Sequence, residues 1–142
     1  MPRGVREAVL GHARRTLPYE CCGLLIGVAT GADTRFTRAW PARNLRHSRT
    51  RYLIDPSDHF AAIRAARRTG LAVVGAYHSH PASAPLPSAT DDREADDSEL
   101  VYVIASPARA EVRAYRLDGG RLRAVELRST VSPETPRPGR RP

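Results

Sequence analysis

Histidines 78 and 80 stand two apart in Gly75-Ala76-Tyr77-His78-Ser79-His80-Pro81. Seven residues separate His80 from Ser88, and Asp91 follows three positions later. Two imidazoles and one carboxylate would occupy three positions of a tetrahedral zinc ion. The fourth would stay open for water, which is the pattern of a catalytic rather than a structural site. Zinc lowers the pKa of such a water to about 7. A nearby carboxylate can then take its proton and pass it to a leaving amine. Glu20, at the head of the apolar run 21–28, is the candidate acid/base. The Ser88 hydroxyl could donate to an oxyanion forming on a scissile carbonyl. The chemistry expected of this set is amide hydrolysis.

Positioning such groups requires a strand and a tight return. Residues 71–77 are apolar and partly β-branched, which predicts a buried strand. Side chains alternate along a strand, so His78 and His80 point the same way at its end. Pro81 cannot donate to a ladder and closes it. The loop that follows carries Pro85 and Pro87, and this stiffness lets Asp91 return at low entropic cost. Ser88-Ala89-Thr90-Asp91 also reads as a helix start, with Ser88 as N-cap. The two readings are compatible, because a capped first turn would fix Asp91 in space. Asp92 is the rival for the third ligand, but one helical step turns it by about 100°.

Glu20, His78, His80, Pro81, Ser88 and Asp91 together resemble the JAMM, or MPN-plus, metalloprotease motif: a glutamate, His-x-His-Pro, then Ser-x-x-Asp. The flanks Glu20-Cys21-Cys22-Gly23-Leu24-Leu25 and Arg51-Tyr52-Leu53-Ile54-Asp55-Pro56 are similar to short prokaryotic members. The resemblance spans roughly residues 3–128. It implies a single compact α/β (α+β) domain, a mixed sheet flanked by helices, related to cytidine deaminases. It implies Zn2+ held by His78, His80 and Asp91, Glu20 as acid/base, and Ser88 supporting the oxyanion. It also implies the substrate: an amide bond at the C-terminal Gly-Gly of a ubiquitin-like or β-grasp sulfur-carrier protein, with cysteine or a short extension released. Such a tail could lie as an added strand near the 21–28 run. The long insertions of eukaryotic deubiquitinating members are missing.

Composition is consistent with this. A chain of 142 residues that is 41% hydrophobic suffices for one domain, and would bury about two-thirds of its unfolded surface. The expected domain is residues 1–128, and the proline- and arginine-rich stretch 129–142 reads as a disordered tail. No run approaches the ~20 apolar residues of a membrane span, and the basic N-terminus lacks the apolar core of a signal peptide. A cytoplasmic protein is expected. The two cysteines, Cys21 and Cys22, are adjacent, which builds neither a disulfide framework nor the usual zinc-ligand spacing. Net charge is +8, and all 23 basic residues are arginine. A basic surface could steer an acidic protein partner. The arginines are spread out and not interleaved with aromatics, so no nucleic-acid platform is expected.

Two other functions share parts of the pattern. The DNA-associated RadC group resembles this fold, but carries Asn where Ser79 stands. Non-catalytic MPN scaffolds lack ligands that this chain keeps.

Elsewhere, residues 3–16 predict an amphipathic helix, with Pro18 beyond its end. Residues 35–40 predict an antiparallel partner for 21–28, and residues 51–54 a short strand. Asp55 as N-cap, Pro56 at the first position and Gly70 at the end bound a second helix, with Phe60, Ile63 and Ala66 as its buried face. A short acidic helix over 89–97, a buried strand over 99–105 and a hairpin around Asp118-Gly119-Gly120 complete the reading. His12 and His47 read as solvated, His59 as a helix-start residue and Trp40 as core.

Overall fold

The computed structural model describes residues 1–128. The expected tail at 129–142 lies outside them. Helix α1 (Arg3–Thr16) leads to strands β1 (Cys22–Thr30) and β2 (Asp33–Ala42), then helix α2 (Pro56–Arg68) and strand β3 (Ala72–Ser79). Helix α3 (Ala89–Glu94), β4 (Val101–Ser106), β5 (Glu111–Asp118) and β6 (Arg121–Val125) follow. The strands form one sheet in the order β2-β1-β3-β4-β5-β6. Only β3 and β4 run parallel; the other neighbours are antiparallel. The fold is therefore α+β, with a mixed sheet.

The helices take opposite faces. Val5, Val9, Leu10 and Ala13 of α1 recur at helical spacing and pack with Leu25, Val74, Val101 and Val103. Ala62 and Ala66 of α2 pack with Leu24, Ile26, Ala76, Tyr102 and Ile104. The central strands are covered on both sides, so β4 is buried at every position.

Glycines let β1 lie close to its neighbours. A Cβ on Gly27 would sit 1.8 Å from the Arg35 carbonyl oxygen, at the point where the β1–β2 register shifts. Gly119 and Gly120 adopt φ of 61° and 78°, which the two-residue β5–β6 turn requires.

Four expectations change. Phe60 is 61% exposed rather than core, because it lies roughly 120–160° around the helix from Ala62 and Ala66, the residues that α2 buries against the sheet. Residues 51–54 form no strand; Ile54 makes a single antiparallel bridge to Asn44. Helix α3 ends at Glu94, with its C-cap at Ala95, rather than running to 97. His12 is half-buried, with Nδ1 2.8 Å from the Tyr77 hydroxyl. A fifth point bears on substrate binding: β1 is paired on both sides, by β2 and β3, so it offers no edge for an added strand. The free edges belong to β2 and β6.

Candidate metal centre

The parallel β3–β4 pair aims the histidines. His78 is the penultimate residue of β3 and pairs with Cys22 on one side and Ile104 on the other. Ser79 locks the strand end: its N–H donates to the Cys21 carbonyl (3.1 Å), and its Oγ accepts from the Cys21 N–H (2.8 Å). His80 follows the strand, still tied to β4 through its N–H to the Ala105 carbonyl at 2.8 Å.

The loop then folds back. Pro85 is buried, and its carbonyl accepts from the Tyr115 hydroxyl. At the α3 N-terminus, Ser88 Oγ accepts from the Asp91 N–H (3.0 Å) while the Ser88 N–H donates to Asp91 Oδ2 (2.9 Å). This capping box is the local reason the carboxylate has one orientation. Asp92 is turned away; its Oδ1 accepts from the Leu122 N–H of β6 at 2.9 Å.

The result is a convergent set. His78 Nε2 lies 3.2 Å from Asp91 Oδ1, and His80 Nε2 lies 3.1 Å from Asp91 Oδ2. The two Nε2 atoms are 3.3 Å apart. Ligands about 2.0–2.1 Å from a tetrahedral ion are themselves separated by about 3.3 Å, so these donors fit one divalent cation. The chemistry of the donors agrees. His80 Nδ1 lies 3.0 Å from the Ala84 carbonyl oxygen, which can only accept, so the proton of a neutral ring sits on Nδ1 and Nε2 faces the cluster as a lone pair. Burial holds the His78 imidazole below its ordinary pKa, the neutral form a ligand needs. Burial would raise Asp91, but the two adjacent histidines outweigh it and keep the carboxyl well below the usual range. A metal site is the arrangement these three residues fit.

Tyr52 completes the wall. Its ring stacks on His78 with centroids 4.3 Å apart and planes 16° apart.

Glu20 comes from the segment before β1. Its N–H donates to the Ser48 carbonyl (2.8 Å), and its carbonyl accepts from Asn44 Nδ2 (3.1 Å). The residue is 4% exposed, and Oε1 has no hydrogen-bond partner. Burial pushes its carboxyl up to about 8; the charge of His80 opposes this, and that of Asp91 adds to it. A buried acid lacking a partner, close enough to feel both groups, can exchange a proton near neutral pH. Cys21 and Cys22 are buried, and burial pushes their thiols up to about 11 and 12, so neither is a nucleophile here.

All the residues singled out by spacing lie at this end of the sheet, with Ser88 on its exposed rim. Sequence reasoning gave Tyr52 and Asn44 no part in the site. Both lie in a stretch without apolar period, and only the motif-like flank Arg51-Tyr52-Leu53 pointed there.

The family described as prokaryotic homologs of the JAB domain matches residues 2–118, a span that holds every one of these groups. This chain belongs to that family. It is 40% identical to the desampylase of Haloferax volcanii over 128 residues, 86% of this chain and 89% of that one. It is 38% identical to the CysO-cysteine peptidase of Mycobacterium tuberculosis over 117 residues, 80% of this chain and 79% of that one. The solution structure of a protein from Desulfitobacterium hafniense superposes with a TM-score of 0.84 at 33% identity, covering 94% of this chain and 96% of that one.

Proposed function

We propose that this chain is a zinc-dependent peptidase. On this reading it hydrolyses the amide bond that follows the C-terminal Gly-Gly of a ubiquitin-like or sulfur-carrier protein and releases an amino acid, such as cysteine, or a short extension. The observation that carries it is the His78–His80–Asp91 cluster together with a buried Glu20 carboxyl that feels the charges of His80 and Asp91 and whose Oε1 has no hydrogen-bond partner. The peptidase and desampylase relatives support the substrate class.

His78, His80 and Asp91 would hold the ion. Zinc, when bound, supplies a Lewis acid that polarises the scissile carbonyl and makes water nucleophilic near pH 7. The protein does the rest. Glu20 Oε1, free of any partner, takes a proton from the attacking water. As the C–N bond breaks, the same carboxyl returns that proton to the departing nitrogen. The Ser88 hydroxyl accepts from the Asp91 N–H, so its own proton is free to donate to the carbonyl oxygen. Glycines at the scissile position let the substrate backbone approach closely.

The test is mass spectrometry of a small β-grasp protein ending in Gly-Gly-Cys, incubated with the purified chain and Zn2+. Loss of one cysteine, abolished by chelator and restored by zinc, is expected. Cleavage of unfolded peptides at many sequences, without preference for Gly-Gly, would reject the substrate and keep the hydrolase. No cleavage of any amide by a zinc-loaded chain would reject both.

A further inference from the structure

The nitrogen that leaves must sit beside the carboxyl that protonates it. Glu20 lines a cavity whose other walls include Tyr19, Arg43, Asn44 and His47, and none of the three clustered metal-type ligands lines it. Glu20 is thus shared: its carboxyl feels His80 and Asp91, and the residue borders a separate pocket. On the reading above, this pocket receives the leaving group.

The pocket's polar groups indicate what that group is. Asn44 is fully used. Its Nδ2 donates to the carbonyls of Glu20 and Arg51, both at 3.1 Å, and its Oδ1 accepts from the N–H groups of Arg46 and Leu53, both at 3.0 Å. Asn44 therefore braces the wall and has nothing left for a ligand. Arg43 is held through its backbone: its N–H donates to Asp58 Oδ2 at 2.7 Å, and its carbonyl accepts from the Asp55 N–H at 3.0 Å. Its exposed side chain makes no ion pair among the described residues, although its charge reaches the Asp55 carboxylate. His47 sits in the left-handed region, at φ 43°, where few residues other than glycine rest, and its ring lies 4.0 Å from that of Tyr19. A braced loop thus presents one guanidinium without an ion pair among the described residues and one oriented imidazole to a pocket whose single acid is the buried Glu20.

We infer that this pocket binds the free α-carboxylate of the amino acid or short peptide being released, with Arg43 as its main partner and His47 beside it. The inference rests on the peptidase reading. A guanidinium matches a carboxylate with two parallel N–H···O bonds. The consequence is selectivity for carriers extended by a free C-terminus over conjugates whose leaving group continues as protein.

The experiment compares two conjugates of one β-grasp carrier, ending in Gly-Gly-Cys as the free acid or as the C-terminal amide. Wild type should favour the acid by about tenfold in kcat/KM, as a charge-assisted hydrogen bond at a partly exposed site suggests. In Arg43→Gln the acid/amide ratio should fall towards one, and Arg43→Lys should recover part of it. The Arg43 backbone bond to Asp58 survives both changes, so melting temperatures should match wild type. Equal rates for acid and amide in wild type, or a wild-type ratio in Arg43→Gln, would overturn the inference while sparing the peptidase reading. A second readout needs no turnover. The tripeptide Gly-Gly-Ser as free acid should shift the backbone NMR signals of Arg43 and His47, and its amide should not. Equal shifts with both, or none with either, would overturn the inference even if no conjugate is cleaved.

Discussion

Tyr52 lies flat on His78, with ring centroids 4.3 Å apart and planes 16° apart. The contact fixes the plane of an imidazole that must aim Nε2 at the same point as its neighbour two residues on. Tyr52→Ala should therefore weaken zinc binding, and Tyr52→Phe should not. A stacked aromatic pair is worth about 0.5–1.5 kcal/mol, so about a three- to tenfold loss is expected in competition with a chromophoric chelator. Equal affinities for wild type and Tyr52→Ala would remove the ring from any positioning role.

His80→Ala should abolish stoichiometric zinc, and Asp92→Asn should retain it. The first removes a converging donor; the second alters a carboxylate already bonded to Leu122. Metal analysis of the purified variants decides between them. Zinc lost from Asp92→Asn but kept by His80→Ala would reverse the ligand assignment.

Glu20→Gln keeps the shape of the side chain and removes its proton chemistry. It should bind zinc normally and lose about 10²–10⁴ in turnover, the usual contribution of a general acid–base. Near-normal turnover would exclude Glu20 from the mechanism.

The same residue makes the metal-free chain sensitive to pH. Its folded pKa, about 8, lies above its ordinary value of 4.5 because burial penalises the charged form. Between these values the folded state holds a proton that the unfolded state has released. The stabilisation is complete below about pH 4.5 and is lost as pH rises through about 8. Chelator-treated protein should lose up to about 1.4 kcal/mol per pH unit within that window. Glu20→Gln should flatten this part of the profile, as read by urea unfolding. A profile identical to wild type would contradict the burial argument.

Gly27→Ala tests the packing of β1. The added Cβ would meet the Arg35 carbonyl, which is backbone and cannot swing aside. A destabilisation of about 1–3 kcal/mol is expected, seen as a lower Tm. An unchanged Tm would mean that the β1–β2 register shift relaxes freely.

Much of the site was legible in residue order alone. His78 and His80 share a face because strand side chains alternate, and Ser88 caps the turn that carries Asp91 because its hydroxyl reaches the third amide. Both rules act over a few residues, so the chain itself determined the cluster, the α1 and α2 boundaries and the β5–β6 turn. What lay beyond it depended on which segments meet in space. Phe60 is apolar and reads as core, but the sheet takes the Ala62–Ala66 side of α2 and leaves it outside. His12 looked solvated until Tyr77, sixty-five positions away, supplied a partner. The 21–28 run, expected to lie near a substrate tail, is already paired on both sides. The burial of Glu20, the Tyr52 stack and the Arg43–His47 pocket arise where the irregular segment 43–55 folds over the end of β1. No periodic pattern marks such a segment, because its backbone bonds are shared between the Asn44 side chain and one isolated bridge rather than a continuous ladder. Only the tertiary structure could place it.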